Sequence, residues 1–292
     1  MSSIFITGST GFVGRNLISH FNTKYSIFPY LKNAPISINQ DIVLHLAGKA
    51  HDLNNVSDPR EYYEVNTELT KKVFDVFLES NARTFITLSS VKAVADVVYD
   101  ELTEITEPNP KTHYGKSKLL AEQYILSKPI PKGKRVFILR PCMIHGPGNK
   151  GNLNLLYKVV TKLRVWPLGA FANKRSYCGV NNLLFVINEL INNVEVSSGI
   201  YNVSDNNPLS SNQIIELISS SEGKRILILH IPQRIIRFIS KLGTLLNFGF
   251  NERSLSKVTS NYIVSNEKLR IALKKELPYD VIQNMIYTLK SF

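Results

Sequence analysis

Cysteine is scarce: Cys142 and Cys178 are the only two in 292 residues. Two thiols make no disulfide framework, and no Cys/His spacing suggests zinc, so both are expected to be small buried hydrophobes and no metal site is expected. No apolar run approaches the ~20 residues needed to span a bilayer. The N-terminus lacks a basic segment followed by an apolar one, because strand-like sequence begins at Ile4, and a cytoplasmic protein is the expectation. Acid is also short: 23 Asp and Glu stand against 35 Lys and Arg, a formal charge of +12. That balance favours anionic partners: nucleotides, nucleic acid or an acidic membrane surface. Nucleic acid is disfavoured, because there is no RNA-binding aromatic motif, zinc finger or long basic block. Internal repeats and low-complexity segments are missing too.

What is present is alternation. "SIFIT" predicts a strand and "FVGRNLISHF" a helix. "YSIFPYL" predicts a second strand, and "DIVLHLAG" is a near-continuous apolar run suited to a buried parallel strand. A helix follows with Val65, Leu69, Val73 and Val76 on one stripe. "TFITLSS" is another buried strand, "YGKSKLLAEQYIL" a helix, and "RVFILRP" a strand ended by Pro141. Strands alternating with helices imply an α/β fold with a doubly wound parallel sheet. The later half is less regular, with amphipathic helices around 210–221 and 231–246.

"ITGSTGFVGRNL" places Gly8, Gly11 and Gly14 between the first strand and the first helix. Glycines there let the backbone approach a pyrophosphate, and the helix start at Phe12 and Val13 supplies unpaired N–H groups and a positive dipole end. The alternative is a merely structural turn. The strand–turn–helix context favours dinucleotide binding. A carboxylate about 20 residues past the glycines would hold the ribose 2′-OH of NAD. Here Tyr30, Leu31 and Lys32 stand instead. Without that carboxylate, and with Lys32 nearby, a 2′-phosphate meets no barrier, so NADPH is expected to serve at least as well as NADH. "NAPISINQ" then leads straight to the strand at Ile42. A parallel crossover needs a dozen or more residues. The usual second crossover helix cannot fit, and the third strand is either lost or reduced to a short piece near Ile36–Ile38. The fold is therefore shortened on its adenine side.

"YGKSK" sets Tyr114 and Lys118 at i and i+4 on one helix face. A nearby ammonium would stabilise the Tyr114 phenolate and lower its pKa, letting the phenol shuttle a proton while a nicotinamide moves a hydride. Ser90, after a buried strand, could bind the same oxygen. A surface helix pair is the bland alternative for Tyr114 and Lys118. His51 and His113 are expected to be pocket-wall or surface residues without a catalytic role.

Together "TGSTGFVG", "DIVLHLAG", "VNTELT", "LSSVK", "EPNPKTHYGKSKLLAE" and "LRPCMIHGPG" resemble the extended short-chain dehydrogenases/reductases of the NAD-dependent epimerase/dehydratase family. "GNLNLL", "PLGAFANKRSYCGVNNL" and "GIYNVSD" carry the resemblance through nearly the whole chain. It implies a Rossmann-type sheet over residues 1–150, joined by segments from about 176–205, and a smaller substrate domain mainly from 151–292. By family pattern Ser90, Tyr114 and Lys118 are the catalytic triad. The cofactor (NADP or NAD) would meet Gly8, Gly11, Phe12, Val13, Gly14, Lys32, Leu46, Ala47, Gly48, Asn66, Tyr114 and Lys118, with Asn66 near the nicotinamide side, ordering the active site. Ser90, Asn152 and Arg175 would meet a UDP-sugar, the last two at its diphosphate. The structural alternatives are a helix cap for Asn152 and a surface ion pair for Arg175. Trp166 belongs either to a uracil-side loop or to an ordinary core.

Family dehydratases keep an Asp-Glu pair after the serine; Val91 and Lys92 stand there, which disfavours dehydration. The motifs most resemble bacterial reductases of UDP-4-keto-6-deoxy-N-acetylhexosamines in surface-polysaccharide synthesis. A UDP-hexose 4-epimerase with tightly bound NAD and a catalytically silent nucleotide-binding protein remain as alternatives. A homodimer is open. So is weak peripheral membrane contact through "PQRIIRFISKLGTLLNFGF", against the expectation that this helix turns its apolar face into the core.

Overall fold

The structure, a computed structural model, describes residues 1–50, 58–149, 151–246 and 249–292. His51 lies outside the described residues. In chain order the first half comprises β1 (Ser3–Thr7), α1 (Phe12–Phe21), β2 (Ser26–Pro29), β3 (Ile42–His45), α2 (Pro59–Tyr63), α3 (Leu69–Glu79), β4 (Thr84–Leu88), β5 (Glu101–Leu102), α4 (His113–Leu126) and β6 (Arg135–Pro141). Then follow β7 (Met143–His145), α5 (Asn152–Leu163), β8 (Val165–Trp166), β9 (Tyr177–Gly179), α6 (Val180–Asn192), β10 (Gly199–Val203), α7 (Ser211–Glu222), β11 (Leu227–Ile228), α8 (Gln233–Leu245), α9 (Glu252–Thr259), β12 (Ile263–Val264), α10 (Glu267–Leu273) and α11 (Val281–Leu289).

Six strands form one parallel sheet in the order β10-β6-β4-β3-β1-β2. Strands buried on both faces read as near-continuous apolar runs, and β3 and β4 are buried at every position. Thr7 pairs with His45, His45 with Thr87 and Leu88 with Leu139, so the carboxyl ends lie level. The order reverses at β1, flanked by β2 and β3. A crevice opens outside the carboxyl ends at such a switch point.

Residues 30–41 carry neither helix nor strand. No strand forms at Ile36–Ile38. Instead Ile38 is buried with Phe5 and Val43, while Tyr30 packs its ring against Phe5 and donates its hydroxyl hydrogen bond to the Ala34 carbonyl at 3.0 Å. This loop packs on the sheet where no crossover helix stands.

The stripe Val65–Leu69–Val73–Val76 is corrected. Glu64–Glu68 winds as one π turn between α2 and α3. The wider turn shifts the phase of everything before it. Asn66, Thr67, Thr70, Val73, Phe74 and Phe77 are buried, whereas Val65, Leu69 and Val76 are only partly so.

A second apolar cluster gathers Leu153, Val160, Trp166, Leu168, Ile214, Ile215, Ile218, Leu255 and Met285. Trp166 is one of its core members, its indole N–H donating to Asn212 Oδ1 at 3.0 Å. Cys142 and Cys178 are both free and buried, and burial pushes both thiols up.

Helix α8 departs from expectation. It buries Ile236, Ser240 and Gly243, and leaves Ile235, Phe238, Ile239, Leu242 and Leu245 exposed. Gly243 is why: a Cβ there would come within 1.9 Å of the Phe250 carbonyl oxygen, so the small-residue stripe is the one that fits against the protein.

Candidate active site

The turn after β1 requires its glycines. Gly8 has φ +72°, and a Cβ on it would lie 2.6 Å from Ala47 N. A Cβ on Gly14 would lie 2.2 Å from the Gly8 carbonyl oxygen. Gly11 is the N-cap of α1 and, being glycine, offers no side-chain cap. The first-turn N–H groups of Phe12, Val13 and Gly14 therefore face the crevice end without an intrahelical partner. A pyrophosphate fits that donor set and the bare backbone around it. Lys32, just past β2, is exposed.

Behind the turn runs a buried hydrogen-bond chain. Thr70 donates its hydroxyl to the Asn66 carbonyl at 2.7 Å, leaving its oxygen to accept from His45 Nε2 at 2.8 Å. That sets the His45 tautomer: Nδ1 keeps its lone pair and accepts from the Thr7 hydroxyl at 2.8 Å. Thr7 Oγ1 in turn accepts the Ala47 N–H at 3.2 Å. Burial holds His45 neutral, its pKa lowered to about 3, with the Lys118 charge adding to the effect. The chain ties β1, the 46–48 loop and the π turn together.

Asn66 is fully buried and its amide is committed. Oδ1 accepts the Lys49 N–H at 2.8 Å, and Nδ2 donates to the Lys49 carbonyl at 3.1 Å and to Ser117 Oγ at 3.0 Å. Its side chain thus clamps the loop after β3 to α4.

Helix α4 begins at a Thr112 cap, with the Thr112 hydroxyl accepting the Gly115 N–H. A Cβ on Gly115 would fall 2.4 Å from the Lys92 carbonyl oxygen, so glycine lets α4 approach the Ser90 turn. Ser90 caps the short 3₁₀ turn Val91–Ala93, its hydroxyl oxygen accepting the Lys92 N–H at 3.1 Å, and stands close enough to the Tyr114 phenol to lower its pKa. Lys118, buried, donates Nζ to the Leu88 carbonyl at 2.8 Å. A Cβ on Gly48 would meet that Nζ at 3.0 Å. Ser90, Tyr114, Lys118, Gly48 and Asn66 thus converge at the carboxyl ends of β3 and β4.

The expected lowering of the Tyr114 pKa is corrected for the free protein. Burial raises it, the nearby Ser90 hydroxyl opposes the rise, and neighbouring Tyr62 adds to it. Burial also lowers Lys118 to about 8, against the pull of Glu122 one turn on. Glu122 is itself held by Arg140, Nε to Oε1 at 3.0 Å, and by the Ser89 hydroxyl.

Arg175 and Asn152 lie outside this convergence. Arg175 bridges Leu209 and Tyr262 through its backbone. Its guanidinium donates to the Ser260 carbonyl at 3.2 Å and lies 5.8 Å from the Tyr262 ring centroid, so the surface ion-pair alternative fails. Lys92 Nζ sits 4.4 Å from the same centroid and donates to the Asp96 carbonyl at 2.8 Å. Lys92 is lowered to about 8 by burial first; Asp96 raises it and Arg175 lowers it. Two cations thus share Tyr262 beside the Ser90 turn. Asn152 is exposed at the first position of α5, and the helix-cap alternative fails because Gly151 is the cap. His113 is exposed and pairs with the Tyr63 hydroxyl at 3.1 Å. Sequence reading missed His45, Thr7, Thr70 and Tyr262. The lone histidine inside "DIVLHLAG" was the available signal for the first.

A sequence model of the NAD dependent epimerase/dehydratase family matches residues 31–204. The chain is 29% identical over 269 residues to UDP-glucose 4-epimerase of Vibrio cholerae, covering 82% of each. It is 28% identical over 291 residues to N-acetyl-alpha-D-glucosaminyl-diphospho-ditrans,octacis-undecaprenol 4-epimerase of Escherichia coli O157:H7, covering 92% of this chain and 84% of that one. Similar proteins also include reductases, among them GDP-6-deoxy-D-mannose reductase of Pseudomonas aeruginosa. The solved structure of RMD from Pseudomonas aeruginosa complexed with NADPH superposes with a TM-score of 0.74 at 21% identity, covering 100% of this chain and 98% of that one.

Proposed function

The chain belongs to the NAD dependent epimerase/dehydratase family of extended short-chain dehydrogenases/reductases and is an NAD(P)-dependent nucleotide-sugar enzyme; from that premise we propose that it reduces the 4-keto group of a UDP-linked deoxy-N-acetylhexosamine. The observation that carries the chemistry is the convergence of Ser90, Tyr114 and Lys118 beside Gly48, with Lys92 where a dehydratase keeps a carboxylate. The nicotinamide, when bound, supplies the hydride. Tyr114 donates its phenolic proton to the alkoxide oxygen developing at C4. Ser90 donates its single hydroxyl hydrogen bond to the same oxygen. Lys118, a cation held on the Leu88 carbonyl, stabilises that phenolate electrostatically. Gly8, Gly11 and Gly14 with the Phe12 and Val13 amides hold the pyrophosphate, Leu46, Ala47 and Gly48 line the cofactor, and Asn66 fixes that lining. Lys32 would meet a 2′-phosphate were the cofactor NADP. Arg175 and Asn152 take the substrate diphosphate from the mainly substrate-binding part, 151–292, less the segments of about 176–205 that join residues 1–150 in the cofactor-binding part.

Reduction is preferred to epimerisation because of the shortened adenine side. An epimerase returns its hydride to the same sugar and gains from a permanent grip on NAD. A chain without a carboxylate after β2 and without the second crossover helix has less to grip with. The second reading, a UDP-hexose 4-epimerase, is favoured by the Vibrio cholerae relative. Replacing Tyr114 by Phe tests the proton donor: turnover falls by a factor of about 10² or more with cofactor affinity retained. Near-normal turnover in that variant would sink the assignment.

A further inference from the structure

Helix α8 carries three stripes. At 100° per residue, Ile236, Ser240 and Gly243 form the stripe packed against the protein. Gln233, Arg234, Arg237, Lys241 and Thr244 form a polar stripe beside it, with three cations and no acid. Ile235, Phe238, Ile239, Leu242 and Leu245 form the third, an apolar arc of about 120° that faces away from the protein. Phe238 is 63% exposed and Leu245 81%. A helix of a soluble domain turns such an arc inward; α8 turns its smallest residues inward instead. The apolar arc continues onto Leu246, also exposed. Neighbouring α9 adds exposed Arg253 and Lys257 against one acid, Glu252.

We propose that this face seats the protein on an anionic lipid bilayer, with α8 lying in the plane of the interface. A large apolar arc flanked by a cationic stripe, on a chain of net charge +12, matches acyl chains below and acidic headgroups beside. On the side of α8 away from the arc, Gln233 Nε2 donates to the Ala170 carbonyl at 2.9 Å and the Arg237 guanidinium lies 5.7 Å from the Phe171 ring centroid, contacts that hold the helix to the protein with its apolar arc outward. No helix among the described residues is long and apolar enough to cross a membrane, so the attachment is peripheral.

The test is co-sedimentation of the full chain with phosphatidylcholine vesicles with and without phosphatidylglycerol, at low and high salt. The expected result is pelleting with the anionic vesicles at low salt, at least tenfold less with pure phosphatidylcholine, and loss at high salt. Phe238→Glu with Leu242→Glu should abolish pelleting while leaving activity on a soluble nucleotide sugar unchanged. Phe238→Trp gives a second reading that does not depend on the charged variant folding. Trp166, the one native tryptophan, is buried, so a blue shift on adding anionic vesicles reports the helix itself. No pelleting and no blue shift overturns the proposal. So does a dimer in solution that Phe238→Glu splits into monomers, because a second copy would then cover the arc.

Discussion

Acid should unfold this protein through His45. The imidazole is 1% exposed and accepts from Thr7 while donating to Thr70, an arrangement built for the neutral ring. Its pKa is lowered from 6.5 to about 3, chiefly by burial. Between those two values the unfolded chain binds a proton that the folded chain refuses. Stability therefore falls as pH drops through 6.5 and keeps falling until about 3. At about 1.4 kcal/mol per pH unit, lowering the pH from 7 to 4.5 costs roughly 3 kcal/mol from this one group. His45→Gln removes the titration while keeping an amide that can donate and accept. Urea unfolding at pH 7 and pH 4.5 measures both proteins. The wild type should lose about 3 kcal/mol more on acidification than the variant, whatever the variant's own stability at pH 7. Equal acid losses in the two proteins would refute the reasoning and place the acid sensitivity elsewhere.

Gly8→Ala puts a Cβ 2.6 Å from Ala47 N at φ +72°, so it should cost roughly 1–3 kcal/mol in urea unfolding and weaken cofactor binding. An unchanged unfolding midpoint would contradict the packing of the turn against the 46–47 backbone. Arg175→Ala should weaken UDP binding by on the order of 1.5–3 kcal/mol in calorimetry while sparing the cofactor. Equal losses for UDP and cofactor would count against its place on the substrate side.

Much of the sheet was legible because parallel strands buried on both faces read as near-continuous apolar runs, as "IVLH" and "FITL" do but for one polar residue each. The loss of the crossover helix was legible from length alone: the 12 residues from Tyr30 to Asp41 cannot hold a helix and a strand. The phase of the helix through Asn66 was not. A single π turn at Glu64–Glu68 resets the 3.6-residue count, and nothing in the apolar pattern marks it. The facing of α8 was hidden for a different reason. Amphipathicity gives the angle between stripes, but which stripe meets the protein depends on the close approach at Gly243, a tertiary fact. At the site, spacing brought Tyr114 and Lys118 to one helix face, but it could not give the sign of the phenol's shift. Burial decides that, and burial is a property of the packed cleft. His45 escaped because a polar residue within an apolar strand reads as an interruption until its two threonine partners are seen on other elements.

The central claim is that hydride leaves a freely exchanging cofactor for C4 of a keto sugar. The protein should purify largely free of nucleotide and oxidise NADPH in one-to-one proportion with a UDP-4-keto-6-deoxy-N-acetylhexosamine, followed by absorbance and product mass. Copurification with tightly bound NAD, together with interconversion of C4 epimers without added cofactor, would contradict reduction and establish epimerisation in its place.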